Sequence, residues 1–110
     1  MNTWKVNILS ASVSAELDVM PQDIRGRFSR IVSLIEEFGL DEVGMPHVRP
    51  LGNKLWEMRM KGRDGIGRAI YVVATGKQIF VVHAFIKKTQ ATPPAAIKLA
   101  TQRAREAGLI

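Results

Sequence analysis

Four segments of the chain alternate hydrophobic and polar residues, or run apolar, over lengths typical of β-strands. They are residues 3–9, 55–61, 68–74 and 78–85. A period of two places successive side chains on opposite faces of a sheet. The last segment contains the run IFVVHAF, which is apolar on both faces and therefore predicts a central strand. Within that strand, His83 is expected to share a face with three apolar residues, Ile79, Val81 and Phe85.

The strand at 55–61 separates its apolar and charged side chains into two sets. The set expected to face the core is Trp56, Met58 and Met60. The other set is Leu55, Glu57, Arg59 and Lys61. This second set predicts a charged face on the sheet, although its leucine weakens the pattern at the start of the strand. On that face Glu57 is placed to orient Arg59.

Two helices are expected between the first and second predicted strands. Residues 11–18 predict a short helix whose first turn Ser12 or Ser14 can cap. A longer helix begins near Pro21, which fits a first turn, and ends at Gly39. Its apolar residues recur at steps of three and four, which predicts one buried stripe. They are Ile24, Phe28, Ile31, Ile35 and Phe38.

A last helix and a loop complete the predicted elements. Thr92 is expected to cap the C-terminal helix, with the two following prolines in its first turn, and Gly108 to end it. Residues 41–53 contain two glycines and two prolines and are predicted to form a loop. His47 lies in this loop and is interpreted as a surface residue without a role.

The order of elements predicts the fold class. Three consecutive strands joined by short turns must pair antiparallel. We therefore expect an α+β fold, with a small antiparallel sheet of about four strands, an N-terminal helix or helix pair and a C-terminal helix. The helices are expected on one side of the sheet. The 110 residues fit a single domain covering 1–110.

The charge of the chain indicates an acidic partner. Sixteen Lys and Arg residues outnumber ten Asp and Glu residues, which gives a net charge of +6 at pH 7. Nucleic acid is the leading candidate and an acidic protein is the second. A surface charge that serves only solubility is the remaining interpretation.

The composition also excludes several kinds of site. Without cysteine, the chain has no disulfide, no thiolate nucleophile and no cysteine-type zinc site. Two histidines are too few for a histidine-rich metal site, so no metal or cofactor is expected. The N-terminus does not resemble a secretory signal, and no apolar run approaches the ~20 residues that span a bilayer. We therefore expect a cytoplasmic protein that does not bind membranes.

Four motifs in the second half of the chain resemble a known family. They are LWEMR from Leu55, RAIY from Arg68, HAFIKKT from His83 and TP from Thr92. In this order they resemble the RelE/ParE superfamily of bacterial toxins, and within it the HigB-like, phage-derived branch. Across the first half of the chain, the similarity is limited to the order of elements.

The resemblance implies a toxin of a type II toxin–antitoxin system. Many members bind at the ribosomal A site and cut mRNA, so a metal-independent mRNA endoribonuclease is the function that it favours. The implied partners are the ribosome, mRNA and a cognate antitoxin with a helix-turn-helix domain, with operator DNA reached only through the antitoxin complex. The alternatives are a ParE-like inhibitor of DNA gyrase and a non-catalytic protein that binds antitoxin or nucleic acid.

Cutting RNA without a metal requires a base for the 2′-hydroxyl, cations around the phosphate and an acid for the leaving 5′-oxygen. Arg59 and Arg68 lie in matched motifs and are predicted to stabilise the phosphate charge, since a guanidinium stays protonated. His83 is the candidate general acid or base. Lys87 and Lys88 are expected to contact phosphate, and a lowered pKa would let either one transfer a proton.

Four residues are predicted to bind RNA, with Tyr71 stacking on a base. They are Lys61, Tyr71, Lys87 and Lys88. Each candidate also has a structural interpretation. Arg59 can pair with Glu57 on the sheet, Tyr71 and His83 can belong to the core, and the lysines can form a solvated strand end.

Overall fold

The computed structural model describes residues 4–43, 48–87 and 91–110. The predicted strands and helices are present within these ranges. In chain order the elements are β1 Lys5–Ile8, α1 Ala11–Asp18, α2 Gln22–Phe38, a 3-10 turn Leu40–Glu42, β2 Val48–Gly52, β3 Leu55–Lys61, β4 Ile66–Ala74, β5 Gln78–Lys87 and α3 Pro94–Glu106. Within the described ranges, no helix has the length and apolar character needed to cross a membrane. His47 and Lys88 lie outside these ranges, as does Thr3 at the start of the first predicted strand.

The five strands form one sheet in the order β1-β5-β4-β3-β2. The pairs β2–β3, β3–β4 and β4–β5 are antiparallel, whereas β1 pairs parallel with β5. The α+β fold class is confirmed, and β5 lies inside the sheet along its first half, as its apolar sequence predicted. The sheet is mixed rather than wholly antiparallel because α1 and α2 return the chain to the same end of the sheet before β2 begins.

The prediction of a loop over residues 41–53 is wrong for its second half. Residues Val48–Gly52 form β2, in which Val48 pairs with Met58 and Arg49 pairs with Glu57. The proline in this strand, Pro50, has no N–H to donate, and an edge strand tolerates that loss. Proline and glycine indicated a loop, but both residue types also occur in a short edge strand, which here has a register shift at its end.

The helices cover both faces of the sheet, which corrects the expectation of a single side. One face packs against α1 and α2, where Met58 and Met60 of β3 meet Ile24 and Ile31 of α2. The other face packs against α3 through the small residues Ala96, Ala100 and Ala104. These alanines approach Leu55, Ile70, Val72 and Val82 of the sheet. Because β4 is buried on both faces, its sequence carries no alternation that would reveal a second layer.

A β-bulge in β5 changes which residues share a face. Ile70 pairs with His83, but its neighbour Tyr71 pairs with Val81, so one residue of β5 is inserted opposite β4. Ile79 and Val81 consequently belong to the core under α1 and α2, whereas Phe85 packs on the α3 side. The expectation that His83 shares a face with Ile79 and Val81 is therefore wrong. Instead His83 lies on the face that also carries Ile70.

The turn between β3 and β4 is fixed against α2. Asp23 Oδ2 accepts a hydrogen bond from the Arg63 backbone N–H at 2.8 Å. Two glycines allow this close approach, since a Cβ on Gly62 or Gly67 would lie 2.4 Å from the side chain of Ile24. Ile24 itself is 1% exposed and cannot move outward. Glycine at these two positions is therefore required by packing between the sheet and α2.

We predict that Gly67→Ala destabilises the protein by about 1–3 kcal/mol, because the new methyl group overlaps a branched side chain inside a packed core. Gly26→Ala is the matched control, since a Cβ there meets nothing within 4 Å. That control should stabilise the protein by about 0.5–1 kcal/mol through the higher helix propensity of alanine. Urea unfolding measures both changes, and equal effects at the two positions would contradict the packing argument.

Candidate functional site

A buried carboxylate lies at the centre of the charged face of β3. Glu57 is fully buried, and its Oε1 accepts a hydrogen bond from Arg59 Nε at 2.8 Å. Arg49 Nε lies 3.4 Å from the same oxygen. The hydroxyl of Thr92 donates to the other oxygen, Oε2. We call these four residues together with Arg68 the Glu57 cluster, in which one carboxylate serves three guanidinium groups.

Arg68 lies within this cluster but is fully buried. It is the cross-strand partner of Arg59, and its Nη1 donates to Ala91 O at 2.7 Å and to Thr92 Oγ1 at 3.4 Å. Burial lowers the pKa of Arg68, and the charge of Glu57 acts in the opposite direction. A guanidinium with no exposed surface does not reach a phosphate in this conformation, which corrects the predicted direct role. Its contacts join β4 to the segment that precedes α3.

The cations that reach solvent surround the cluster. The side chains of Arg49 and Arg59 are 36% and 14% exposed. Lys61 and Lys87 are exposed and lie in one row across the sheet, each opposite Ile66 of β4. We call Arg49, Arg59, Lys61 and Lys87 the basic face. Four positive groups thus lie on one side of the sheet, where they can contact a phosphate chain.

Tyr71 lies on the opposite face of the sheet from these cations. It is fully buried in the core under α2, and within the described residues its hydroxyl has no hydrogen-bond partner. Burial raises the pKa of Tyr71. The predicted stacking of Tyr71 on a base does not fit this position, because no face of the ring reaches solvent.

His83 belongs to a second group of charged side chains. Its Nδ1 lies 3.0 Å from Glu16 Oε1 of α1, and its ring stacks on Phe85 at 5.1 Å between ring centroids. Arg103 of α3 binds both oxygens of Glu16, with Nη1 to Oε1 at 3.0 Å and Nη2 to Oε2 at 2.9 Å. We call Glu16, His83 and Arg103 the histidine cluster. It links one helix from each side of the sheet to β5.

The histidine cluster takes the place of a neighbouring strand along part of β5. The last contact of β5 with the segment of β1 is Leu9 N to Val81 O at 3.0 Å. Beyond it, Arg103 Nη1 donates to Val82 O at 3.0 Å and Glu16 Oε1 accepts from Ala84 N at 3.1 Å. Side chains thus satisfy backbone groups that an open sheet edge would leave unpaired.

Sequence reasoning missed Arg49, Glu16 and Arg103. Arg49 falls in the segment predicted as a loop, and the two others meet His83 from distant helices without any local motif. Thr92 was predicted to cap the last helix, but the residue at the N-cap is Pro93 and no side chain caps that end. The Thr92 hydroxyl is used by the Glu57 cluster instead. The predicted contact between Glu57 and Arg59 is present.

Solved structures that share this fold include two RelE proteins. The E. coli toxin RelE, an arginine double mutant in the free state, matches with a TM-score of 0.64 and 14% identity, over 92% of this chain and 97% of that one. The archaeal RelE–RelB complex from Pyrococcus horikoshii OT3 matches with a TM-score of 0.56 and 23% identity, over 81% and 99% of the two chains. No curated protein matches the chain. At these identities the similarity concerns the fold.

The five-stranded sheet with its helices therefore has a RelE-like fold, as the motifs indicated. A family model described as phage-derived protein Gp49-like matches residues 15–105. The chain belongs to this Gp49-like family.

We predict that Glu57→Gln destabilises the protein by about 3 kcal/mol, because removing one partner of a buried ionic cluster leaves the other charges uncompensated. Glu37→Gln, on the exposed side of α2, removes the same charge and should change the free energy of unfolding by less than about 0.5 kcal/mol. Urea unfolding at neutral pH compares the two variants. Equal stabilities would show that the arginines do not depend on the carboxylate.

Glu16 predicts a dependence of stability on pH. Burial raises its pKa, but hydrogen bonds from Arg103, His83 and the Ala84 backbone outweigh burial and hold the pKa below the ordinary value of 4.5. A carboxylate with a lowered folded-state pKa stabilises the protein above its unfolded-state pKa, and that stabilisation is lost as the pH falls through the folded-state value. The stability difference between wild type and Glu16→Gln should therefore be full at pH values above 4.5 and shrink below it. Unfolding curves across this range measure the difference, and a constant value would contradict the assignment.

Proposed function

We propose that this protein is the toxin of a type II toxin–antitoxin system and cuts mRNA on the ribosome. The observation that carries the proposal is the basic face on a RelE-like sheet. A surface with four cations around one buried carboxylate fits a polyanion better than it fits an acidic protein patch, because the long Arg and Lys side chains suit a row of phosphates.

The basic face supplies one part of the chemistry of RNA cleavage. Attack of the 2′-hydroxyl on the adjacent phosphate concentrates negative charge on the non-bridging oxygens. Arg59 is held by Glu57 through its Nε, so its guanidinium is oriented before a substrate arrives. Lys61 and Lys87 add charge on one side of Arg59 and Arg49 adds it on the other. Lys88 lies outside the described residues and stays a predicted phosphate contact.

The proposed partners are the ribosome, mRNA and an antitoxin. One of the solved structures with this fold is a RelE–RelB complex, and that pairing supports a partner chain for this protein too. We propose that the antitoxin carries a helix-turn-helix domain and that operator DNA is bound only through the complex. The net charge of +6 favours both RNA and an acidic antitoxin segment.

We predict that the double variant Lys61→Ala/Lys87→Ala loses on the order of 30- to 150-fold in cleavage, since each of the two lost charged contacts costs about 1–1.5 kcal/mol. Both lysines are exposed, so the fold should be unchanged. Lys5→Ala/Lys98→Ala is the control. These exposed lysines lie on β1 and α3, so their substitution removes the same charge outside the basic face. Mapping of mRNA 5′-ends after induction measures cleavage, and growth measures toxicity.

Three outcomes separate the alternatives. New mRNA ends that depend on translation support the nuclease. Intact mRNA in arrested cells, together with DNA breaks and an SOS response, identifies a gyrase inhibitor and contradicts the nuclease. Normal growth of cells that express the wild-type chain alone identifies a non-catalytic binding protein.

A further inference from the structure

The hydrogen bonds of the histidine cluster fix the imidazole of His83. Glu16 Oε1 accepts from Ala84 N and from Arg103 Nη1, so the carboxylate cannot turn away from β5. The second oxygen is held by Arg103 Nη2, which makes the pair bidentate. His83 Nδ1 is closer to Glu16 Oε1, at 3.0 Å, than to Arg103 Nη1, at 3.4 Å. Because an ionised carboxylate can only accept, the shorter contact assigns a proton to Nδ1, which donates it to Glu16.

This arrangement leaves the other ring nitrogen available. Nε2 makes no hydrogen bond with the described residues and is not among their buried unsatisfied polar atoms, so it is open to solvent. The His83 side chain as a whole is 12% exposed. A neutral imidazole with Nδ1–H donated to a carboxylate presents Nε2 as a proton acceptor. Stacking on Phe85 fixes the plane of the ring.

The β-bulge places His83 on the face of the sheet that carries the basic face. Cross-strand pairs join Glu57 to Ile70 and Ile70 to His83, and directly opposite residues of neighbouring strands share a face. Lys87 lies four residues further along β5 on the same face. His83 and the basic face therefore lie on the same face of the sheet, where the half-buried Phe85 lies between His83 and Lys87 along β5, and the buried Ile70 and Arg68 lie toward Arg59.

From this geometry we infer that His83 accepts the 2′-hydroxyl proton during RNA cleavage and that Glu16 and Arg103 are its positioning residues. The inference rests on the proposed function. Nε2 takes the proton as O2′ bonds to phosphorus, the P–O5′ bond breaks, and the leaving 5′-oxygen is protonated by water. The products are a 2′,3′-cyclic phosphate and a 5′-hydroxyl, and the imidazolium then returns its proton to solvent.

The substitution His83→Asn separates a catalytic role from a structural one. The asparagine Nδ2 can occupy the position of the histidine Nδ1 and keep the hydrogen bond to Glu16, but it supplies no atom in the position of Nε2. We expect a urea midpoint close to that of wild type, unchanged ribosome binding and a loss of at least about 100-fold in cleavage rate. Wild-type cleavage by the asparagine variant would overturn the inference.

The positioning role is tested separately on Glu16 and Arg103. Arg103→Gln breaks the bidentate pair, and Glu16→Gln removes the charge that selects the Nδ1–H form. Both should lower the cleavage rate about tenfold or more without weakening ribosome binding, and Arg103→Lys should recover part of the rate. Equal cleavage rates in all these variants and wild type would exclude the positioning role.

Nitrogen-15 NMR of the imidazole provides a readout that does not depend on activity. In the neutral form the wild-type protein should show His83 protonated at Nδ1, and Glu16→Gln should shift the ring toward the other tautomer. A His47→Asn sample assigns the signals. An Nε2–H form in wild type would overturn the inference, whereas an Nδ1–H form in a protein that leaves mRNA intact would contradict the proposed function alone.

Discussion

The carboxylate of Glu57 is the group on which the charged half of this molecule depends. Three arginines converge on one region of the sheet, and without an anion among them their mutual repulsion would oppose folding. Glu57 provides that anion from within β3, and the cross-strand pairing of Arg49 with Glu57 and of Arg59 with Arg68 brings the charges together. The net positive charge that remains is directed outward, because the carboxylate is buried and part of the guanidinium surface is exposed.

Burial gives Arg68 a role that is different from that of its neighbours. A buried guanidinium needs acceptors, and those it has among the described residues include Ala91 and Thr92, directly before α3. The same threonine donates to Glu57. The start of α3 is thus attached to the sheet by polar contacts, while its alanines supply apolar contacts along the rest of the helix. A residue that sequence motifs place among the catalytic candidates therefore stabilises the surface that other residues present.

The sequence predicted the elements whose side chains alternate or recur regularly, and it missed what arises between elements. The core face and the charged face of β3 were predicted correctly, because Met58 and Met60 alternate strictly with charged residues. The side of the sheet that α3 covers was not predicted correctly, because the alanines along α3 can pack against either side. The bulge that moves His83 to the other face leaves no trace in the residue pattern, since β5 is apolar on both faces. Glu16 and His83 are 67 residues apart, a separation at which periodicity carries no information.

The contacts at the two ends of α3 connect the two candidate groups. Near its start, Thr92 joins the Glu57 cluster, and in its last turn Arg103 joins the histidine cluster. An acidic side chain also accepts a backbone N–H on β1 and on the open part of β5, since Glu36 of α2 accepts from Val6 N at 3.0 Å and Glu16 accepts from Ala84 N. A displacement of α3 would therefore break polar contacts in both clusters at once. The cationic surface and the oriented imidazole are consequently not independent features, because the same helix holds both of them against one face of the sheet.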